Sequence, residues 1–275
     1  LGGGASARDD RHNLTASDYT ESRYIETLLL GHESDVVDAF LRQEYAIVLE
    51  TLRPLAEGGE ASAQTLLGYM HRAGLGVERN DSEAVEWYNK AAEQDDANAQ
   101  YLLGYMHQRG FGVAQYSAQA LQWYRKAAGQ GIAAARLGLG VMYDDAQGVP
   151  RDHDEALTHF FSAAESGLAG AQHRLAVAYE KGDGVPSDFD EALKWYRLAA
   201  AQNFARSQYA LGEMYSQGKG VPKDPDEAMK WYQLASEQGL SEAQFSLAKA
   251  FASGRGVDRE RAARGDARQG ARAKG

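Results

Sequence analysis

The sequence predicts an all-α protein, a solenoid of paired helices, and three periodic observations carry that prediction. A leucine column, Leu67, Leu103, Leu139, Leu175, Leu211 and Leu247, recurs at a constant step of 36 residues. Gly76, Gly112, Gly148, Gly184, Gly220 and Gly256 keep the same step, each followed by a valine, from Val77 to Val257. All four tryptophans, Trp87, Trp123, Trp195 and Trp231, fall in one further column, with His159 in its remaining place.

Each unit reads as helix, turn, helix. The first helix of the second unit is predicted near Ala99–Gln108, where Leu103, Met106 and His107 follow helical spacing. A mid-helix glycine costs about 1 kcal/mol relative to alanine. It nevertheless recurs as Gly68, Gly104, Gly140 and Gly212, with Ala176 and Ala248 in the other units, so a neighbouring helix is expected to pass close by. The turn is G-x-G-V, as in Gly182-Asp183-Gly184-Val185, in which glycine adopts the left-handed backbone that ends a helix. Pro150, Pro186 and Pro222 follow the valine and block continuation. Acidic pairs then suit the positive end of the second helix: Asp154-Glu155, Asp190-Glu191 and Asp226-Glu227.

The second helix carries A-L-x-W-Y-x-x-A-A, as in Ala192, Leu193, Trp195, Tyr196, Ala199 and Ala200, a stripe of buried type at three-to-four spacing. Gly131, Gly167 and Gly239 close it, with Asn203 substituting once. One such pair is too small to cover its own apolar side, so stability comes from units plus the interfaces between them. A buried tryptophan is worth several kcal/mol at about 25 cal/mol per Å², so the tryptophan column is expected to anchor the stack.

Ser207, Gln208, Leu211, Gly212, Met214, Tyr215, Gly218, Gly220, Val221, Pro222, Asp226, Glu227, Ala228, Trp231, Tyr232, Ala235 and Gly239 spell one nearly complete unit. With this pattern the chain resembles the Sel-1-like repeat family, close relatives of tetratricopeptide repeats, over about Tyr45 to Val257. The resemblance implies a right-handed α/α superhelical solenoid of helix-turn-helix repeats, about 5 full 36-residue units plus partial capping units. It also implies a scaffold or adaptor that holds other proteins, often in assembly, secretion or signalling. The third unit departs from the pattern at Ala146 and at His159-Phe160, and the second at Val113-Ala114, where proline is missing.

The expected organisation is a flexible lead over 1–20, capping helices and a partial repeat over 21–58, the solenoid over 59–257, and a basic tail or polar cap over 258–275. Within 21–58, Tyr24–Leu30 is predicted as a closing helix, Glu33–Arg42 as a short helix capped by Ser34, and Tyr45–Gly58 as a lone second helix. The tail has no Trp, Tyr or Leu over Arg261–Ala273.

Composition narrows the function classes. No apolar run approaches the roughly 20 residues that cross a bilayer. The chain has no cysteine, which excludes disulfides, thiolate metal sites and a cysteine nucleophile. Net charge is −10, and because the tail is basic the remainder carries −13, which repels phosphate backbones and argues against nucleic-acid partners. The opening Leu1-Gly2-Gly3-Gly4-Ala5-Ser6-Ala7 ends in the A-x-A pattern of a signal-peptidase site, so a periplasmic or secreted location is expected over a cytoplasmic one.

No catalytic residue, metal ligand set or cofactor is expected. His71 and His107 share the column of Tyr143, Tyr179 and Tyr215, and so read as structural. His153 and His159, six apart, have poor metal spacing. Arg264-Gly265-Asp266, Asn13-Leu14-Thr15 and Asn80-Asp81-Ser82 match short adhesion and glycosylation motifs that recur by chance.

In tetratricopeptide-like stacks the first helices line the concave face. The positions expected to face outward there include Tyr69, Arg72, Tyr101, Tyr105 and Gln108 in the first two units, and His173, Tyr209, Glu213 and Phe245 further on. Aromatic and arginine side chains are the usual hot spots of interfaces. The expected ligand is therefore a peptide or helix of a partner protein. A cell-envelope or peptidoglycan-binding role is the alternative, since exposed aromatics also suit a sugar.

Overall fold

Thirteen helices, and no strand, occur among the residues described by the computed structural model, 28–29 and 32–252. Two helices, α1 (Ser34–Leu41) and α2 (Tyr45–Glu57), precede five pairs. The pairs are α3 (Ala61–Ala73) with α4 (Asp81–Ala92), α5 (Ala97–Arg109) with α6 (Ser117–Gly129), α7 (Ala133–Asp144) with α8 (His153–Glu165), α9 (Ala169–Lys181) with α10 (Phe189–Ala201), and α11 (Ala205–Gln217) with α12 (Pro225–Glu237). A further first helix, α13 (Ser241–Ala252), follows. The first helices start at the same 36-residue step as the leucines.

The chain divides into two compact units, one up to Ala171 and one from Gln172, with the division inside α9. The N-terminal lead, most of the predicted helix Tyr24–Leu30, Asn13-Leu14-Thr15 and the tail with Arg264-Gly265-Asp266 lie outside the described residues. Leu28 and Leu29 are helical and buried.

In the N-terminal unit, α3 packs on α4, α5 on α6 and α7 on α8, and α2 packs on α3, α4 on α5 and α6 on α7. Leu66, Leu67, Met70, Leu102, Leu103, Met106, Leu139 and Met142 fill the core between them. In the C-terminal unit Leu175, Leu211 and Met214 play the same part. The tryptophans sit shallower than expected. Trp87 and Trp195 are buried near the surface, while Trp123 and Trp231 are only half-buried. The deeper anchors are the tyrosines that follow them: Tyr88, Tyr124 and Tyr196 are almost wholly enclosed.

Those rings explain the mid-helix glycines. A β-carbon on Gly104 would lie 2.6 Å from the Tyr124 ring, and one on Gly212 would lie 2.5 Å from the Tyr232 ring. The close neighbour is thus the second helix of the same unit.

The two turn glycines serve different ends. Gly110 and Gly112 both have positive φ, 72° and 66°. A β-carbon on Gly110 would meet only Gln115, 3.2 Å away in its own turn. One on Gly112 would lie 2.3 Å from the Asp81 carbonyl oxygen, at the start of the preceding unit's second helix. Gly148 approaches Ser117 and Gly220 approaches Phe189 in the same way. Ala146 takes the place of the first glycine in the third unit and still adopts φ 56°.

Helix starts differ from the sequence prediction in one consistent respect. The capping side chains are Asn80, Asp96, Asp152, Asp188 and Asp224, each accepting from a backbone N–H of the first turn. Asp96, accepting from Ala99 N at 2.7 Å, moves the start of α5 back to Ala97. At α1 the cap position is Glu33, and Ser34 is the first helical residue without a capping bond.

A partly buried amide ladder joins neighbouring helices. The Gln130 amide donates to Gln100 Oε1 at 2.9 Å, 30 residues back, and the same bond over the same sequence separation joins Gln94 to Gln64 and Gln202 to Gln172 at 2.9 Å and Gln238 to Gln208 at 2.6 Å. Gln64 and Gln208 in turn donate to the carbonyls of Ala56 and Ala200. Arg136 and Ser166 stand where the third unit would continue the ladder.

Candidate functional site

The expected contact residues fall into two groups, one in each compact unit. In the N-terminal group two of the tyrosines turn inward, which corrects the expectation that they face outward. Tyr69 on α3 is 6% exposed and Tyr101 on α5 is 9% exposed. The Tyr101 ring lies 5.9 Å from Tyr124 of its own unit. For Tyr101 the physical reason is the 3.6-residue turn: two residues before the core leucine, the side chain swings toward the second helix, where the Tyr124 ring waits.

Arg72, Tyr105 and Gln108 are half-buried, and the first two meet. The Arg72 guanidinium lies 4.9 Å from the centroid of the Tyr105 ring, a cation–π contact. On its other side Tyr105 meets Phe111 at 5.9 Å. Gln108 accepts a hydrogen bond from the Tyr124 hydroxyl at 2.8 Å and donates to Gln147 at 2.9 Å. Phe111 and Gln147 are both the middle residue of their turns; Gln147 reaches back to the preceding unit's first helix, whereas Phe111 meets Tyr105 of its own unit. Sequence reasoning missed these tip positions. Their signal was the free variation of Leu75, Phe111, Gln147, Asp183 and Lys219 between two fixed positions, since a residue at a surface tip is bound by no packing rule.

In the C-terminal group His173 Nδ1 lies 2.9 Å from Ser207 Oγ, with its ring between Tyr196 at 5.6 Å and Phe204 at 5.2 Å. Burial, helped by Arg174, Arg206 and Lys181, pushes its pKa down to about 3, so the ring is neutral at ordinary pH. Tyr209 packs on Tyr232 at 5.7 Å, and Glu213 accepts from the Tyr232 hydroxyl. Glu180 accepts from Tyr196 and pairs with Lys219 at 3.3 Å, again a turn tip reaching back. Phe245 on α13 does not share the others' packing and is 71% exposed. Among the described residues no helix follows α13 to supply a ring.

Two further histidines lie beside carboxylates. His71 is buried 3.4 Å from Glu83 and its pKa is lowered, first by burial. In the equivalent column Tyr143 and Tyr215 accept from Arg125 and Arg197 at 2.8 and 3.1 Å. His153 sits 3.1 Å from Asp144. Among the described residues no three His, Asp or Glu side chains converge as a metal site, and no helix is long and apolar enough to cross a membrane.

The Sel1 repeat profile matches residues 61–96, 97–132, 131–168, 169–204, 205–240 and 241–264. A Sel1 repeat protein from Oxalobacter formigenes is 31% identical, with a TM-score of 0.75 over 80% of this chain and 90% of that one. A protective antigen of uropathogenic Escherichia coli with the same repeat fold is 40% identical, with a TM-score of 0.68 over 75% of this chain and 44% of that longer one. A Sel1 repeat protein from Klebsiella pneumoniae is 25% identical, with a TM-score of 0.51 over 72% of this chain and 97% of that one. No curated protein matches the chain. The 36-residue step, the glycines shaped around a tyrosine ring and six consecutive profile matches have one common reading: the chain belongs to the Sel1 repeat family.

Proposed function

We propose that this chain is a non-catalytic adaptor that holds a peptide or helix of a partner protein against its first helices, the face expected to be concave. Sel1 repeat proteins are generally protein-interaction scaffolds, which supports the broad class. The observation that carries the finer reading is the half-buried trio Arg72, Tyr105 and Phe111. Two rings and a guanidinium on one surface combine the residue types that dominate binding energy at protein interfaces. Their mutual packing holds the rings in place before a partner arrives, which lowers the entropy lost on binding.

The test is a photo-crosslinking amino acid placed at Tyr105 or, on the second helix, at the exposed Glu86, in the native host cell. Crosslinks to a defined partner from position 105, weaker or absent from position 86, are the expected outcome. Equal crosslinking from both, or none from position 105, would overturn the assignment of the face.

A further inference from the structure

In the complete units the second helix lays a ring across the first. Tyr232 packs on Tyr209 at 5.7 Å and closes over Gly212. Tyr196 packs on His173 at 5.6 Å, and Ala176, in the glycine's place, is wholly buried. The last described first helix, α13, repeats these places as Phe245 and Ala248, with Phe251 where Tyr215 stands. Here they face solvent. Phe245 is 71% exposed and Phe251 47%, Ala248 is exposed, and Leu247 is only half-buried where Leu211 is fully enclosed.

The other side of α13 is seated as in the units before it. Ala243 is buried, α13 packs on α12, and Gln244 donates to the Ser236 carbonyl as Gln208 donates to that of Ala200. The uncovered side is therefore the one that a second helix covers elsewhere, and contiguous exposed apolar surface marks an interaction site. The chain's own continuation carries no ring for it, since Ala267 and Arg268 stand one repeat beyond Trp231 and Tyr232. Helix α10 shows what does fit. Its Ala192, Tyr196 and Ala199 are buried, and Gln202 donates to Gln172 at 2.9 Å. Gln244 holds the place of Gln172 on α13.

We propose that the exposed side of α13 is a docking surface for one amphipathic helix of a partner protein, carrying small residues, an aromatic ring and an amide spaced as Ala192, Tyr196, Ala199 and Gln202 are in α10. The ring takes the seat over Ala248 beside Phe245, the small residues let the two helices approach closely, and the amide donates to Gln244. A few apolar anchors at helical spacing are the usual means by which a groove holds a helix. This surface is separate from the one that carries Arg72, Tyr105 and Phe111, and neither reading depends on the other.

The probe is a labelled peptide with the sequence of residues 188–204, titrated into the full chain and read by fluorescence anisotropy. Saturable binding is expected, weakened about tenfold or more by Tyr196→Ala in the peptide or by Phe245→Ser in the chain. Phe245 is exposed, so Phe245→Ser is expected to melt with the parent. Ala248→Gln, which sets a longer side chain on the ring's seat, is the second variant and is expected to weaken binding likewise. Hydrogen exchange is expected to show protection gained in α13 when the peptide is bound. No binding, or binding that both α13 variants leave intact, overturns the proposal. So does protection gained in α9 and not in α13, which would mean that the peptide had replaced α10. An α13 that exchanges as slowly as α11 without peptide would mean that the chain covers this surface itself. A dimer that Phe245→Ser dissociates in sedimentation would mean that a second copy covers it. Either result also overturns the partner helix.

Discussion

Replacing Gly112 with alanine separates the two reasons for which a turn glycine is kept. Gly112 has φ 66°, and a β-carbon there would lie 2.3 Å from the Asp81 carbonyl oxygen and 2.7 Å from Ser82 N. The left-handed backbone costs an alanine roughly 1–2 kcal/mol. The overlap with backbone of the preceding unit adds about 1–3 kcal/mol, because helix α4 must shift rather than a side chain turn. The restricted unfolded chain returns about 0.4–1 kcal/mol. The net loss is about 2–4 kcal/mol. Gly110→Ala carries the backbone term without the collision, since only Gln115 lies near it, at 3.2 Å. Its loss is therefore about 1 kcal/mol or less, in keeping with Ala146 at the same place in the third unit. Urea unfolding of both variants, read by circular dichroism, gives the comparison, and hydrogen exchange in α4 and α5 locates the damage. A Gly112→Ala variant as stable as Gly110→Ala would refute the close approach as the reason for the second glycine.

Two further predictions concern buried polar groups. Gln208→Leu leaves the Ala200 carbonyl and the Gln238 amide without their partner, so it is expected to destabilise the C-terminal unit by about 1–3 kcal/mol; unchanged exchange protection in α11 and α12 would contradict the ladder's role. The lowered pKa of His173 means that the unfolded chain takes up a proton below about 6.5 while the folded ring stays neutral down to about 3. Its contribution is therefore complete above pH 6.5 and is lost as pH falls toward 3. His173→Gln is expected to lose less stability than the parent between pH 7 and pH 5, measured by urea midpoints; equal losses would show that this ring is not the cause.

The sequence made the repeat legible because stacking imposes one environment at every thirty-sixth residue. Each unit meets the same neighbours, so Leu103, Gly112 and Trp123 have counterparts that a reader can align without a structure. Helix starts were legible only in part. The acidic pairs such as Asp190-Glu191 stood out, but the cap is Asp188, two residues earlier, because capping depends on extended backbone at that residue. The tryptophans were misleading as anchors for a related reason. Conserved spacing shows that a position is constrained, whereas depth depends on where the helix axis lies, and that axis places Tyr124 beneath Trp123.

The candidate site was legible as a set of columns and not as a surface. Tyr69, Tyr101 and Tyr105 were expected to cluster facing outward, but Tyr69 and Tyr101 turn into the core while Tyr105 meets Arg72. Phe111 joined the group only through space, since a turn tip 39 residues downstream of Arg72 shares no helical period with it. What the sequence determined by itself was the unit: its length, its two helices, its turn and its family, all set by local periodicity and by the need of each pair for a neighbour. What only the tertiary structure decided was which polar atoms find partners. Gln108 accepts from Tyr124 while the buried Tyr88 hydroxyl finds no acceptor among the described residues, because hydrogen bonding depends on the chemistry and distance of two side chains from different helices, which repeat spacing does not encode.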